Sequence, residues 1–177
     1  MKESQTSGIP IVPGTEAGSA HPVRVALIVE SVHHDNTRKI AHAMAHALAA
    51  DVLSPEEVTA DGLTAYDVVG LGSGIYFGRH HSSVIRLAKS LDRIPRCVFI
   101  FSTAGLPWLR RVFHWALRRV LVRKGCFVIG EFSCRGWDTV GPLCLVGGLN
   151  RRHPNDGDLE RATRFADQVR QQSADAG

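Results

Sequence analysis

The stretch Arg24-Val25-Ala26-Leu27-Ile28-Val29-Glu30-Ser31-Val32-His33-His34-Asp35-Asn36-Thr37-Arg38-Lys39-Ile40-Ala41 decides the fold. Its first part is a short, β-branched apolar run, the composition of a strand buried on both faces. A polar turn from Glu30 to Asp35 follows, and then apolar residues recur at Ile40, Met44, Ala47 and Leu48, the spacing of an amphipathic helix. A strand that feeds a helix through a polar turn leaves backbone N–H groups without intrahelical partners at the helix start. Their partial positive charge suits an anion, a phosphate above all. Asn36 and Thr37 can donate an amide and a hydroxyl to phosphate oxygens, Ser31 offers a further hydroxyl, and His33 and His34 offer ring N–H groups. Asp35 opposes an anion unless its carboxylate turns to solvent. The plainer alternative is an ordinary helix start with Asp35 complementing the dipole.

Working outward, three more apolar runs end in polar or glycine-rich turns: Asp67 to Gly72, Cys97 to Phe101 and Cys126 to Gly130. A weak strand, Asp51-Val52-Leu53, follows the first helix. Helical spacing predicts helices from Ser82 to Leu91, from Pro107 to Lys124 with Gly125 as the stop, and from Gly157 to Gln171 with Asn155 as cap. Regular strand–helix alternation predicts a three-layer α/β sandwich around a five-stranded parallel sheet in the order 2-1-3-4-5. The polar turns then gather at one edge of the sheet, where such folds bind ligands.

Composition narrows the function classes. The chain has 177 residues, which suits one domain over residues 23–173, preceded by a Gly-, Pro-, Ser- and Thr-rich stretch, 1–22, expected to be a flexible tail. A net charge of +4 is too mild to indicate nucleic acid. Four cysteines form no disulfide framework and point to a reducing cytoplasmic setting; neither a signal peptide nor a membrane span is expected. His42 and His46 have a metal-ligand spacing but no third ligand, so no metal is expected.

Four turns in order now carry a resemblance. Asn36-Thr37-Arg38-Lys39-Ile40-Ala41, Gly72-Ser73-Gly74-Ile75-Tyr76-Phe77-Gly78, Ser102-Thr103-Ala104-Gly105 and Ser133-Cys134-Arg135-Gly136 stand where the flavodoxin family holds FMN, and the chain resembles that family over roughly residues 23 to 170. The resemblance implies an FMN-binding electron-transfer protein or oxidoreductase. Ser31, His33, His34, Asn36 and Thr37 would surround the phosphate. Gly72, Ser73, Gly74 and Ile75 would lie along the isoalloxazine, with Tyr76 the first candidate to stack on it and Phe77 the second. Ser102, Thr103, Ala104 and Gly105 would meet the pyrimidine edge, and Cys134 and Arg135 would face the same crevice. Val32, His34 and Asp35 depart from the family's phosphate loop.

The sequence leaves other readings open: a substrate-specific flavoenzyme, similar to flavodoxin-type protoporphyrinogen oxidases or quinone-linked, or a flavin-free interaction module on the same fold. No residue is singled out as catalytic, and the other party to the reaction is a redox partner protein or a small-molecule substrate. One helix stands apart. Between Pro107 and Lys124 lie Arg110, Arg111, Arg118, Arg119, Arg123 and Lys124 with no acid. Leu109, Val112, Phe113, Ala116, Leu117, Val120 and Leu121 are expected to face the sheet. The basic residues would then offer a surface to an acidic partner or an anionic membrane.

Overall fold

A computed structural model describes residues 22–32, 34–59, 61–137, 150 and 152–175. The elements in chain order are β1 (Val25–Glu30), α1 (Asn36–Leu48), β2 (Asp51–Leu53), β3 (Val68–Tyr76), β4 (Arg79–His80), α2 (Ser82–Ser90), β5 (Cys97–Ala104), α3 (Arg110–Arg123), β6 (Phe127–Arg135) and α4 (Asp156–Asp175). Short 3-10 turns occupy Gly62–Ala65 and Pro107–Leu109. The parallel strands run in the order β2-β1-β3-β5-β6, the expected doubly wound arrangement, with β4 added antiparallel to β3. The expected N-terminal tail lies almost wholly outside the described residues, and so do His33, Cys144 and most of the segment after β6.

Alternate residues of each strand serve opposite cores. Leu27, Val29, Phe99, Phe101 and Phe132 pack beneath α1 and α4. Ala26, Ile28, Leu71 and Ile100 pack beneath α2 and α3, through Val84, Ala88, Leu117 and Leu121. The α1 chain reverses at Ala49 in the left-handed region (φ 50°), and α3 stops at Gly125 (φ 82°), where a residue without Cβ carries no penalty.

Two expectations need correction here. Gly72-Ser73-Gly74-Ile75-Tyr76 is not a loop, because β3 continues through Tyr76. The reversal is the two-residue turn Phe77-Gly78, both at positive φ (50° and 78°), which pairs Ile75 with His80 and Tyr76 with Arg79. The β3 glycines serve packing: a Cβ on Gly70 would lie 2.4 Å from the Phe99 ring, and one on Gly72 would lie 2.2 Å from the Phe101 ring. Helix α3 also turns differently. The chain first makes the 3-10 turn at Pro107, and α3 buries His114, Leu117 and Leu121, while Leu109 and Val112 stay 37% and 65% exposed. Beneath its first turns the sheet presents Ser102, Ser133 and Glu131 rather than apolar residues, and a histidine meets that floor.

Candidate functional site

The start of α1 is open to an anion. Asp35 stands at the N-cap in the left-handed region (φ 52°) and its side chain makes no capping bond. Its carboxylate is 63% exposed and lies 3.9 Å from Arg38, so it turns to solvent rather than onto the helix axis. The N–H groups of a helix's first turn have no intrahelical acceptor. Just before them, Ser31 Oγ is buried and has no hydrogen-bond partner among the described residues. A buried hydroxyl left unmatched costs free energy, and an oxyanion at the helix start would satisfy it. The donor set of Ser31, Asn36, Thr37 and the first-turn backbone therefore fits a phosphate.

Polar contacts tie that helix start to two other strand ends. Thr37 Oγ1 and Thr103 Oγ1 are 2.8 Å apart and both residues are buried. If Thr103 donates in that pair, the Thr37 proton remains available to an anion. Asn36 Nδ2 donates to the carbonyl of Trp137 at 2.9 Å, and the Gly136 N–H donates to the carbonyl of Ala104 at 3.1 Å. Gly136 is needed where these chains converge, since a Cβ there would lie 3.0 Å from Thr103 and 3.2 Å from Asn36. His34, also at positive φ (57°), stacks its ring on Trp137 at 3.7 Å and 18°. Asn150 Nδ2 donates to the carbonyl of Gly105 at 3.1 Å.

The β3–β4 hairpin supplies the aromatics. Tyr76 folds back over Gly74, where a Cβ would meet its hydroxyl at 2.7 Å, and its ring stands edge-on to His81 at 5.7 Å. Phe77 projects from the turn at 90% exposure, so it is the outward aromatic of the two candidates. Ile75 is half-buried, and Arg135 is exposed at the end of β6.

Three expected site residues face elsewhere. Ser73, Ser102 and Ser133 stand in register across β3, β5 and β6. Ser73 Oγ takes the His81 N–H at 2.9 Å and pairs with His80 Nδ1 at 2.9 Å. Ser102 Oγ is fully buried, 2.9 Å from both His114 Nε2 and Ser133 Oγ. Neither side chain is free to meet a ligand at the loop edge, and strand alternation is the reason: both point under the helical layer. Cys134 is likewise wrong for the crevice. It packs in the core beneath α1 and α4, and burial, with the Asp158 charge adding to it, pushes its thiol far above the ordinary range, so it stays protonated and unreactive.

The sequence reading missed the polar layer that these serines belong to. His80 is 2% exposed and its Nε2 has no partner among the described residues; burial, with the neighbouring His114 adding to it, holds its proton affinity well below the ordinary histidine value of 6.5. The His80 and His114 rings are 4.9 Å apart. His114 Nδ1 faces Glu131 Oε2 at 3.3 Å, and a carboxylate can only accept there, so the proton sits on Nδ1. Arg118 donates to Glu131 at 2.8 Å, and His114 and Arg118 together hold the Glu131 carboxyl below its usual range. The available signal was a serine two or three residues before the strand's end in three strands, which register places on the same face. A second missed cluster closes the far side: Asp158, fully buried, accepts from the Asn155 N–H at 2.9 Å and pairs with His153 at 2.5 Å and with Arg161. Among the described residues no group of three or more His, Cys, Asp or Glu could hold a metal.

Comparison with known proteins agrees with this architecture. The sequence model of a flavodoxin domain matches residues 27–106. An uncharacterized protein of Methanocaldococcus jannaschii is 42% identical over 147 residues, which are 83% of this chain and 98% of that protein. Among solved structures, Flavodoxin 2 of Bacillus cereus superposes with a TM-score of 0.62 at 18% identity, over 85% of this chain and 99% of that one. A flavodoxin from the domain Archaea gives 0.59 at 12% identity, over 86% and 99%. The rubredoxin oxygen:oxidoreductase of Desulfovibrio gigas gives 0.63 at 13% identity over 85% of this chain, but this chain spans only 36% of that longer protein. At these identities the solved structures speak to the fold alone.

Proposed function

Because the chain belongs to the flavodoxin family, we propose that it is a redox protein holding FMN non-covalently at the C-terminal edge of its sheet, with the phosphate at the start of α1. One observation carries the reading: the buried Ser31 hydroxyl, without a hydrogen-bond partner among the described residues, beside a helix N-terminus whose N-cap residue Asp35 makes no side-chain capping bond. Ser31, Asn36 and Thr37 would hold the phosphate, and Thr103 would orient the Thr37 hydroxyl through the bond they already share. Phe77 offers an exposed ring, and the stacked His34–Trp137 pair a second flat surface, near which a planar cofactor can shed water. The exposed Arg135 adds positive charge at the same edge, where it would favour the anionic reduced cofactor. When bound, the flavin supplies the electron-transfer chemistry; the protein supplies binding, orientation and electrostatics.

Purified protein should show a flavin absorption spectrum. The flavin released on heating should run as FMN on chromatography, and apoprotein should take up added FMN with quenching of its fluorescence. Release of FAD, or apoprotein that takes up no FMN, sinks the proposal.

A further inference from the structure

We propose that the outer face of α3, with the cleft it forms against β6, docks a carboxylate-rich redox partner protein. All six basic side chains of Arg110, Arg111, Arg118, Arg119, Arg123 and Lys124 are exposed. Two of them are engaged: Arg118 with Glu131 at 2.8 Å, and Lys124, whose Nζ donates to the carbonyl of Leu91 at 2.6 Å. Among the described residues no carboxylate pairs with Arg110, Arg111, Arg119 or Arg123, and the sequence holds no acid from Pro107 to Gly130. Like charges at helical spacings of three and four residues repel, and that cost is offset when an anionic surface covers them.

The same face exposes large apolar side chains. Trp108, Val112 and Trp115 are 66%, 65% and 58% exposed, and the Arg119 guanidinium lies over the Trp115 ring at 5.1 Å. Between helix and strand runs an open cleft of about 500 Å³ lined by Arg110, Arg111, Trp115 and Arg118 on one side and by Val128 and Glu131 on the other. Glu131 is already held by His114 and Arg118, so the cleft keeps unpaired guanidinium groups at its rim.

The chemistry of the face chooses among occupants. A helix lying in a membrane surface needs one continuous apolar side, but α3 uses that side, Leu117 and Leu121, against the sheet. Its outward side alternates Trp and Val with Arg, the composition of a protein interface with aromatic anchors and charged surroundings. A second copy of this chain would bring the same positive face and be repelled. The position gives the docking a purpose: Pro107–Leu109 follows directly on Ala104 and Gly105 at the candidate site, so a partner seated on Trp108 would lie beside it. That purpose rests on the FMN reading; the docking does not.

The test uses an acidic plant-type ferredoxin as probe, against both apoprotein and FMN-loaded protein, by surface plasmon resonance at low and at physiological ionic strength. The expected result is binding that weakens steeply with salt and falls roughly tenfold or more in the Arg111→Glu/Arg119→Glu double variant. An Arg111→Gln/Arg119→Gln variant, milder should the first fail to fold, should lose part of that affinity while its near-ultraviolet circular dichroism is unchanged. Phosphatidylglycerol vesicles and a single-stranded oligonucleotide run in parallel and should bind more weakly than the ferredoxin. Failure of the ferredoxin to bind, tighter binding of vesicles or oligonucleotide, or undiminished binding by the double variant overturns the proposal. Ferredoxin bound equally by apoprotein that refuses FMN would support the docking while removing the flavin reading.

Discussion

Thr37 stands where the start of α1 meets the end of β5, and its hydroxyl has two possible uses: the bond to Thr103 that the structure shows, and a bond to a phosphate. The substitution Thr37→Val removes the hydroxyl while keeping the side chain's shape. FMN affinity should then fall by about 1–3 kcal/mol, the worth of one charge-assisted hydrogen bond. Riboflavin, which lacks the phosphate, should bind wild type and variant alike. Thr103→Val separates the two uses, since it breaks the threonine pair but leaves the Thr37 donor, and it should cost FMN less. Isothermal titration of both flavins against all three proteins decides the matter; if Thr37→Val weakens riboflavin as much as FMN, the residue is only structural. Part of this candidate site was legible in the sequence, because hydroxyl and amide residues at a strand-to-helix turn carry their chemistry with them. What could not be read there is that Asn36 and Thr37 spend polar atoms on Trp137 and Thr103, contacts 101 and 66 residues away in the chain.

At the scale of elements, β3 shows why pattern reading succeeds for strands and misjudges their ends. Val68, Val69 and Leu71 announce a buried strand, and Gly72-Ser73-Gly74 then reads as punctuation. Gly72 instead makes room for the Phe101 ring from β5 and Gly74 for the Tyr76 side chain of β3 itself, and a strand can continue through glycines when a neighbour fills the space. Gly72→Ala would bring a methyl to 2.2 Å from the Phe101 ring, a clash that must be relieved by moving either the ring or the strand. The expected loss is about 1–3 kcal/mol of unfolding free energy, as for other overpacked cores, measured by urea denaturation. A neutral or stabilising Gly72→Ala would mean that the ring is not what the glycine serves. The same blindness to partners hid the orientation of α3. Its helical spacing offered several faces, and only the polar floor of Ser102, Ser133 and Glu131 selects the one with His114 inward.

Across the whole molecule, the polar layer under α3 makes stability depend on pH in a predictable direction. His80 packs against Ser73 from β3 and against the ring of His114 from α3, with Glu131 of β6 and Arg118 of α3 beyond it. Burial depresses its proton affinity when folded, so in acid the unfolded chain binds a proton that the folded chain refuses. Stability from this group is therefore complete above the ordinary histidine value of 6.5 and is lost as pH falls from there toward the lower folded value. The slope from one such proton is at most about 1.4 kcal/mol per pH unit. Glu131 acts in the same sense in a separate, lower window: its carboxyl is held below the ordinary 4.5, so its contribution is present above that value and lost as pH falls through the folded one. The two windows can be separated by His80→Asn, whose side-chain amide can still donate to Ser73 Oγ but cannot titrate. Urea unfolding between about pH 7.5 and about pH 5 should show wild-type stability falling through the upper window and the variant staying flatter there. Both proteins should fall together below about pH 4.5, where Glu131 and other carboxylates take up protons. If wild type and His80→Asn lose stability in parallel from pH 7.5 downward, His80 is not the acid-sensitive group.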